Sequence, residues 1–223
     1  MKQLNKTNLG WLILIALMVV VLFVGVSSNV ISPFYQITLV TILINVILAI
    51  GLNLVIGFSG QFSLGHAGFM AIGAYSGAII GDKIEGLPGF FAGLFVGMFI
   101  SIVVALIVGI PTLRLKGDYL AIATLGVAEI IRILILNMGD LTNGARGISG
   151  ISFPFESNMS FIMVLFLIVI VTSIITINYI HSSPGRATIA IREDEIAAES
   201  MGVNATTYKV IAFMIGAATA SIA

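Results

Sequence analysis

The sequence predicts an all-α fold, a polytopic bundle of helices embedded in a lipid bilayer. Of its 223 residues, 59% are hydrophobic and 9% are charged. A soluble domain carries about 25% charged residues, so this chain is too apolar for water. Its apolar residues also occur in stretches about as long as a transmembrane helix, which needs roughly 17–25 residues to cross the hydrocarbon core. We therefore treat residues 1–223 as a single transmembrane domain.

The apolar stretches predict about six complete spans and a shorter last one. They cover residues 9–27, 37–56, 66–81, 90–110, 119–138 and 161–180, and the last runs from 208 to 223. The last stretch is short for a crossing. We therefore expect a C-terminally truncated chain, with a short final helix buried by partners as the alternative. The first stretch has a second interpretation, a signal peptide that begins with Lys2 and Lys6.

Basic residues indicate which ends of the spans face the cytoplasm. With the N-terminus inside, the basic residues of the inner loops are Lys2, Lys6, Arg114, Lys116, Arg186, Arg192 and Lys209, against Lys83 and Arg146 outside. Cytoplasmic loops carry such an excess of Lys and Arg. The pattern predicts a multi-pass protein of the cytoplasmic (inner) cell membrane with its N-terminus in the cytoplasm.

Several classes of function are excluded by what the sequence lacks. Ten Lys and Arg residues balance ten Asp and Glu residues, so no net field attracts nucleic acid. The absence of Cys excludes disulfides and thiolate metal sites. No G-x-x-x-x-G-K-[ST] pattern occurs, so the chain has no P-loop. Neither His66 nor His181 has a nucleophile beside it, and we expect no catalytic residue, metal or cofactor on this chain.

The glycine-rich stretch from Gly51 to Gly81 is the most distinctive part of the sequence. Each Gly in a helix interior costs about 1 kcal/mol relative to Ala, so a broken helix is predicted. Irregular polar backbone at membrane depth is buried by protein or lines a watery cavity. The candidates for a substrate path are therefore Gly60, Gln61, Ser63, Gly65, His66 and Gly68. The alternative is a cytoplasmic turn before a tightly packed helix, with His66 as a packing residue.

Two further features concern helix faces. The four-residue spacing of Gly73, Gly77 and Gly81 bares one face, so that a neighbouring helix can approach closely. A polar stripe on the second span consists of Thr38, Thr41, Asn45, Ala49 and Asn53. Hydrogen bonding between helices is the favoured interpretation of this stripe. The alternative is that Asn45 and Asn53 line the substrate path.

Glu129 and Arg132 lie one turn apart within an apolar span. Charged residues in a bilayer centre are costly and are therefore functional suspects. At this spacing the two side chains can pair with each other. A structural ion pair and a role in gating both remain open, and Glu129 joins the substrate-path candidates.

Residues 181–207 form the longest cytoplasmic segment. Pro184 and Gly185 break the preceding span, and apolar residues then recur among charged ones, at Ile189, Ile196, Ala197 and Met201. This pattern suits short amphipathic helices on a protein surface, and Gly202 and Asn204 supply a stop signal. The segment is therefore predicted to be a docking site for a soluble partner.

Three motifs carry a resemblance to a known family. Residues 185–187 and 190–202 resemble the cytoplasmic loop of permeases from branched-chain amino acid ABC importers, closest to the LivM-type subunit. The stretch 51–68 is similar to the early signature of that family, and 113–125 followed by 142–148 provides a third match. The motifs occur in the family's order and together cover most of the chain after the first span.

The resemblance implies a heteromeric importer. Its partners are a second homologous permease, cytoplasmic ATPase subunits that hold ATP and Mg²⁺, and an extracytoplasmic amino-acid-binding protein. In this class a loop with an E-A-A-x-x-x-G pattern contacts the ATPase. Ala197, Ala198 and Gly202 fit it, whereas Ile196 replaces the Glu. The ATPase-coupling candidates are Gly185, Arg186, Arg192, Glu193, Asp194, Glu195, Ala197, Ala198 and Gly202.

Two other functions compete with branched-chain amino acid import. Related permeases for urea and short amides, or for sugars and nucleosides, share the glycine-rich signature. A secondary transporter driven by an ion gradient would carry acidic residues in several spans, and here Glu129 is the one that qualifies.

Overall fold

The protein is described by a computed structural model at residues 32–151, 154–155 and 157–223. In this part the regular elements are helices. They are α1 (Pro33–Asn53), α2 (His66–Lys83), α3 (Leu87–Thr112), α4 (Asp118–Asn137), α5 (Gly139–Thr142), α6 (Asn158–His181), α7 (Ser183–Glu193), α8 (Glu195–Ser200) and α9 (Ala205–Ile222). A π-helical turn, Leu54–Phe58, continues α1, and a 3-10 turn, Gly144–Arg146, follows α5. The predicted all-α class is confirmed, and the expected span 9–27 lies outside the described residues.

Five segments in the described ranges are long and apolar enough to cross a bilayer. They are Phe34–Phe58, Leu87–Thr112, Asp118–Asn137, Asn158–His181 and Ala205–Ile222. Each overlaps a predicted span, which confirms a polytopic helical membrane protein. The predicted third span does form a helix, α2, but it is not one of the five. Its glycines and the terminal Asp82 and Lys83 lower its hydropathy.

Helix α9 occupies the centre of the bundle although it is the last element. Half of its span is buried, against 22–28% for the other four. It packs on α2 and α3, and the largest buried cluster includes Phe69, Ala105, Phe213 and Ala217. The rings of Phe69 and Phe213 meet edge to face with centroids 5.5 Å apart, an arrangement that aromatic pairs prefer.

Glycines set the distance between α2 and its neighbours. A Cβ on Gly93 would lie 2.8 Å from the Cα of Gly77, and one on Gly97 would lie 3.0 Å from the Cα of Gly73. A Cβ on Gly73 would overlap the carbonyl oxygen of Ser221 in α9. Close packing that depends on a missing side chain is therefore confirmed at Gly73, whereas Gly77 and Gly81 have open space where a Cβ would stand.

The polar stripe on α1 does not form the hydrogen bonds to neighbouring helices that were predicted for it. Thr38, Thr41 and Asn45 are exposed and donate hydrogen bonds to carbonyls one turn earlier in α1, at 3.1, 3.1 and 2.8 Å. The buried side of the helix carries Leu43 and Ile47 instead. The expected hydrogen bonds to other helices are therefore wrong for these three side chains. Each has an acceptor within its own helix, so it needs no partner elsewhere.

Replacing Gly73 by Ala should destabilise the bundle because the added methyl group overlaps the backbone of α9. Overpacking of this kind costs about 1–3 kcal/mol. The matched control is Gly81→Ala, which adds the same methyl group to the same helix where no atom lies within 4 Å. Thermal unfolding in detergent should show a lowered midpoint for Gly73→Ala alone. Equal midpoints for the two variants would contradict the close α2–α9 contact.

Candidate functional site

The predicted interruption between the second and third spans is present. The π-helical turn closes with hydrogen bonds from Ser59 N to Leu54 O (3.1 Å) and from Gln61 N to Val55 O (3.0 Å). Gly60 has a φ of +67°, which lies in the left-handed region that glycine adopts without a steric penalty. Helix α2 starts at His66. We call residues 59–65 the break.

The polar side chains of the break are buried, and each takes part in a hydrogen bond, although the amide oxygen of Gln61 has no partner among the described residues. Ser59, Gln61 and Ser63 are 2–4% exposed. The Nε2 of Gln61 donates to Ser59 Oγ and, at 3.0 Å, to the carbonyl oxygen of Lys209 in α9. The backbone N–H of Leu64 donates to Thr124 Oγ1 in α4 at 3.0 Å. These bonds attach the break to two other helices and satisfy polar groups that would otherwise be costly to bury.

The remaining candidates of the break and of α2 lie in close helix contacts. A Cβ on Gly65 would lie 2.9 Å from Thr124 O, and one on Gly68 would lie 2.9 Å from the Cα of Ala128. His66 Nε2 lies 3.1 Å from the position of a Cβ on Gly51. Gly65 and Gly68 thus allow α2 to cross α4 closely. This geometry supports the packing interpretation of His66.

The break follows the end of the first described apolar segment. The segment Phe34–Phe58 completes a 25-residue span before the break begins. At that end, Arg192 of α7 donates from Nη1 to the carbonyl oxygen of Gly57 at 2.6 Å. The geometry therefore supports the alternative of a turn that follows the end of a span. It also joins that turn to the long segment 181–207, which we call the coupling segment.

The coupling segment consists of two short helices, α7 and α8. Each has a side chain that caps its start: Ser182 Oγ accepts from Gly185 N at 3.2 Å, and Asp194 accepts from Ala197 N at 3.0 Å. Capping of this kind stabilises a helix by typically about 1 kcal/mol. Asn204 caps α9 in the same way, through Thr207 N at 3.1 Å. The sequence suggested that Asn204 helps to end α8. In the structure it caps the start of α9 instead.

The two helices present different faces to the bundle and to the outside. Ile191 and Ala198 are buried with Ala205 of α9 in one cluster. Ile196 and Met201 are 75% and 84% exposed. Apolar residues therefore project outward from a segment that the bundle holds on its other side. Ala197 is exposed as well, and Gly202 ends the segment's helical part with a φ of +84°.

Charged residues fasten the coupling segment to the bundle. Glu195 accepts from Lys209 Nζ at 2.8 Å and pairs with Lys116, in the loop between α3 and α4, at 3.2 Å. Arg192, besides its bond to Gly57, is paired with the exposed Glu193. The side chains of Arg192 and Glu195 are thus turned toward the membrane helices, and Asp194 is used as a cap.

Gly185 and Arg186 join α7 to the end of α6. A Cβ on Gly185 would overlap the carbonyl oxygen of Tyr179, so the backbones touch there. Arg186 Nη1 donates to His181 O at 2.8 Å. Both contacts are with residues only a few positions earlier in the chain, so they fix the local turn between the two helices.

Glu129 and Arg132 form the ion pair that their spacing allowed. Arg132 Nε donates to Glu129 Oε2 at 2.9 Å and Nη2 to Oε1 at 2.6 Å. The two side chains are 51% and 61% exposed, near the middle of α4. Asn45 and Asn53 are likewise exposed, on α1. These substrate-path candidates therefore lie on outer faces of the described bundle rather than among the buried polar groups of the break.

An apolar cavity in the described part of the chain has none of the candidate residues in its wall. Its volume is about 270 Å³, and it lies between α2, α3 and the end of α9. Gly77, Gly81 and Phe90 line it together with Ala223. Its wall is mainly apolar, so it differs from the polar sites that the sequence indicated.

Comparison with known proteins gives a consistent match. The family model described as "Branched-chain amino acid transport system / permease component" matches residues 34–223. The high-affinity branched-chain amino acid transport system permease protein LivM of Salmonella typhimurium is 38% identical, over 81% of this chain and 49% of that protein. The protein of the same name from Escherichia coli is 37% identical over the same shares. The chain thus spans about half the length of these relatives. No solved structure matches it significantly.

Glu195 gives the coupling end a defined pH dependence. The hydrogen bond from Lys209 holds the pKa of Glu195 below its ordinary value of 4.5, and Lys116 adds to this effect, whereas desolvation opposes it. A carboxyl whose folded pKa is depressed stabilises the fold fully above its unfolded pKa. That contribution is lost as the pH falls through the lower, folded value.

We therefore expect Glu195→Gln to remove a stabilisation that the wild type keeps above pH 4.5. The difference in thermal midpoint between wild type and Glu195→Gln should be constant above that pH and shrink below it. The control is Glu199→Gln, at an exposed position of the same helix. A difference that does not change with pH would show that Glu195 is not held by Lys209 and Lys116.

Proposed function

We propose that this chain, which belongs to the permease component family of branched-chain amino acid transport systems, forms part of the pore of an ATP-driven importer for leucine, isoleucine and valine. The family match over residues 34–223 carries the proposal. A permease is a transport subunit rather than an enzyme. Five membrane-crossing helices in the described residues supply the multi-pass framework that such a subunit needs.

ATP hydrolysis is assigned to a separate ATPase chain that docks on the outer face of the coupling segment. The exposed Ile196 and Met201 support this, because apolar side chains projecting from a charged segment are stabilised by a covering partner. The sequence has no P-loop, so ATP and Mg²⁺ would bind to that partner. A second permease and an extracytoplasmic amino-acid-binding protein complete the proposed complex.

The coupling end is assigned to the cytoplasm of a bacterial inner membrane. Four basic residues gather at this end of the bundle, namely Lys116, Arg186, Arg192 and Lys209. Positive charge of this kind is typical of the cytoplasmic side. The assignment also places the N-terminus in the cytoplasm, if one further span precedes α1.

The substrate route is assigned to the outer face of the described bundle that carries Glu129 and Arg132. An exposed ion pair at the middle of a span is costly in lipid, so this face must meet water or another protein. The proposed second permease would close the route on that side. An amino acid zwitterion carries an ammonium and a carboxylate, which Glu129 and Arg132 can bind respectively. Asn45 and Asn53 on α1 are further candidates for the wall of the route.

Exchanging the two charges tests this role of Glu129 and Arg132. The double variant Glu129→Arg/Arg132→Glu retains an ion pair at the same spacing but reverses its polarity. To pair with the exchanged charges, the amino acid zwitterion must bind in the opposite orientation. Its aliphatic side chain then no longer occupies its own binding position. Loss of one charged hydrogen bond costs about 1.5–3 kcal/mol, so leucine uptake should fall roughly ten- to a hundredfold. Wild-type uptake by the exchanged pair, in a normally assembled complex, would assign it a structural role instead.

The overall function is tested by uptake in cells that carry the complete system. Deleting the gene should abolish high-affinity uptake of labelled leucine and leave urea uptake unchanged. Uptake should stop when ATP is depleted and persist when an uncoupler removes the ion gradient. Loss of urea or nucleoside uptake instead of leucine uptake would identify another substrate class. Sensitivity to the uncoupler but not to ATP depletion would identify a secondary transporter.

A further inference from the structure

The carbonyl oxygen of Gly57 is bound by a residue that lies 135 positions later in the chain. The last carbonyls of a helix lack donors within that helix, and Gly57 lies in the turn that ends the first described span. Arg192 Nη1 donates to this oxygen at 2.6 Å. A cation at this end of a helix also interacts favourably with the helix dipole. Arg192 of the coupling segment thus caps the C-terminal end of a membrane-spanning helix.

Gly60 fits the side chain of Arg192 closely. A Cβ on Gly60 would lie 2.7 Å from Cγ and 3.4 Å from Cβ of Arg192. The backbone of Gly60 is also in the left-handed region, at a φ of +67°. Glycine at this position therefore gives the arginine stem the room to lie across the break. Glu193 pairs with the same guanidinium from the outer side, so the arginine is held on two sides.

The same region contains two other polar links, which together with Arg192 close a ring. Gln61 of the break donates to the carbonyl oxygen of Lys209 at 3.0 Å. The ammonium group of Lys209 donates to Glu195 at 2.8 Å. Glu195 follows Arg192 by three positions in the coupling segment. The ring therefore joins the end of α1, the start of α9 and the coupling segment through directional bonds.

We propose that Arg192 is a positioning residue that transmits movement of the coupling segment to the end of α1, through Gly57 and the surface of Gly60. The proposal rests on the proposed function, because the movement comes from the ATPase on the outer face of the segment. Ile196 and Met201 face outward, while Arg192 faces the break. A displacement of the outer face is therefore passed to α1 through the short, directional hydrogen bond from Arg192 to the Gly57 carbonyl.

Substitution of Arg192 tests the link in the reconstituted complete complex. Arg192→Met keeps much of the stem and removes the donors, and Gly60→Ala keeps Arg192 but displaces its stem. Each variant should transport roughly two- to thirtyfold fewer leucine molecules per ATP hydrolysed, the range that corresponds to coupling changes of about 0.5–2 kcal/mol. The control is Arg114→Met, which makes a comparable substitution at an exposed arginine outside the coupling segment, in the loop between α3 and α4. This control should stay close to wild type.

A disulfide between positions 60 and 192 should restore the coupling of transport to ATP hydrolysis. It would not do so if Arg192 served only the stability of the fold. The sequence contains no cysteine, and the 3.4 Å from the Gly60 Cβ position to Arg192 Cβ is close to the spacing of about 3.5–4.5 Å in disulfides. The variant Gly60→Cys/Arg192→Cys should be uncoupled when reduced. When oxidised, it should recover most of the leucine transported per ATP. Reduced and oxidised protein share every other change, so strain at position 60 cancels in the comparison.

Three results would overturn the proposal. The first is a wild-type ratio of transport to hydrolysis in Arg192→Met. The second is a disulfide that forms, as shown by thiol counting, and does not alter the ratio. The third is failure of the two cysteines to join under oxidising conditions, since the contact itself would then be absent. A wild-type complex that hydrolyses ATP but takes up no leucine would instead contradict the proposed function, and thiol counting would still test the contact.

Discussion

The close approach of α2 to α3 and α9 is the constraint on which the rest of the bundle depends. Lipid tails are as apolar as the helix surfaces, so membrane helices associate through van der Waals packing and interhelical bonds. Gly73, Gly93 and Gly97 let the neighbouring backbones come into direct contact. Gly73 meets the end of α9 at Ser221, and at the start of α9 the Lys209 carbonyl receives the bond from Gln61 of the break. A bulkier helix face would separate the groups that form the coupling end.

Two sets of polar groups in the described residues have different surroundings. Those of the break are buried, and the amide nitrogen of Gln61 and the hydroxyl of Thr124 have partners on other elements. Such bonds offset the cost of burying a polar group. Glu129 and Arg132, near the middle of α4, are exposed and pair within their own helix. The first set fixes the geometry of the break, and the second leaves an ion pair on the surface of the described bundle.

The sequence was sufficient wherever local chemistry determines the structure. Apolar length predicted the five helices that are long and apolar enough to cross a bilayer, and the glycines predicted the break. Three-residue spacing made the Glu129–Arg132 pair possible. The stripe on α1 was misjudged because periodicity shows which residues share a face, not whether that face is turned inward. The Arg192–Gly57 bond could not be predicted, because its acceptor is a backbone carbonyl, which every residue type possesses, 135 positions away.

Helix α1 has different contacts at its C-terminal end and along its middle. Its C-terminal end receives Arg192 and continues into the break, so it is attached to the coupling segment. Its middle carries Asn45 on a face that the described bundle leaves exposed. The end that receives Arg192 is itself part of the packed core, because Gly51 lies against Thr219 of α9 and Val55 belongs to the main buried cluster. A shift at the coupling end would therefore act first on the glycine-packed contact between α1 and α9. Contact of one helix end with both the coupling segment and the core suits a transporter that switches between two states.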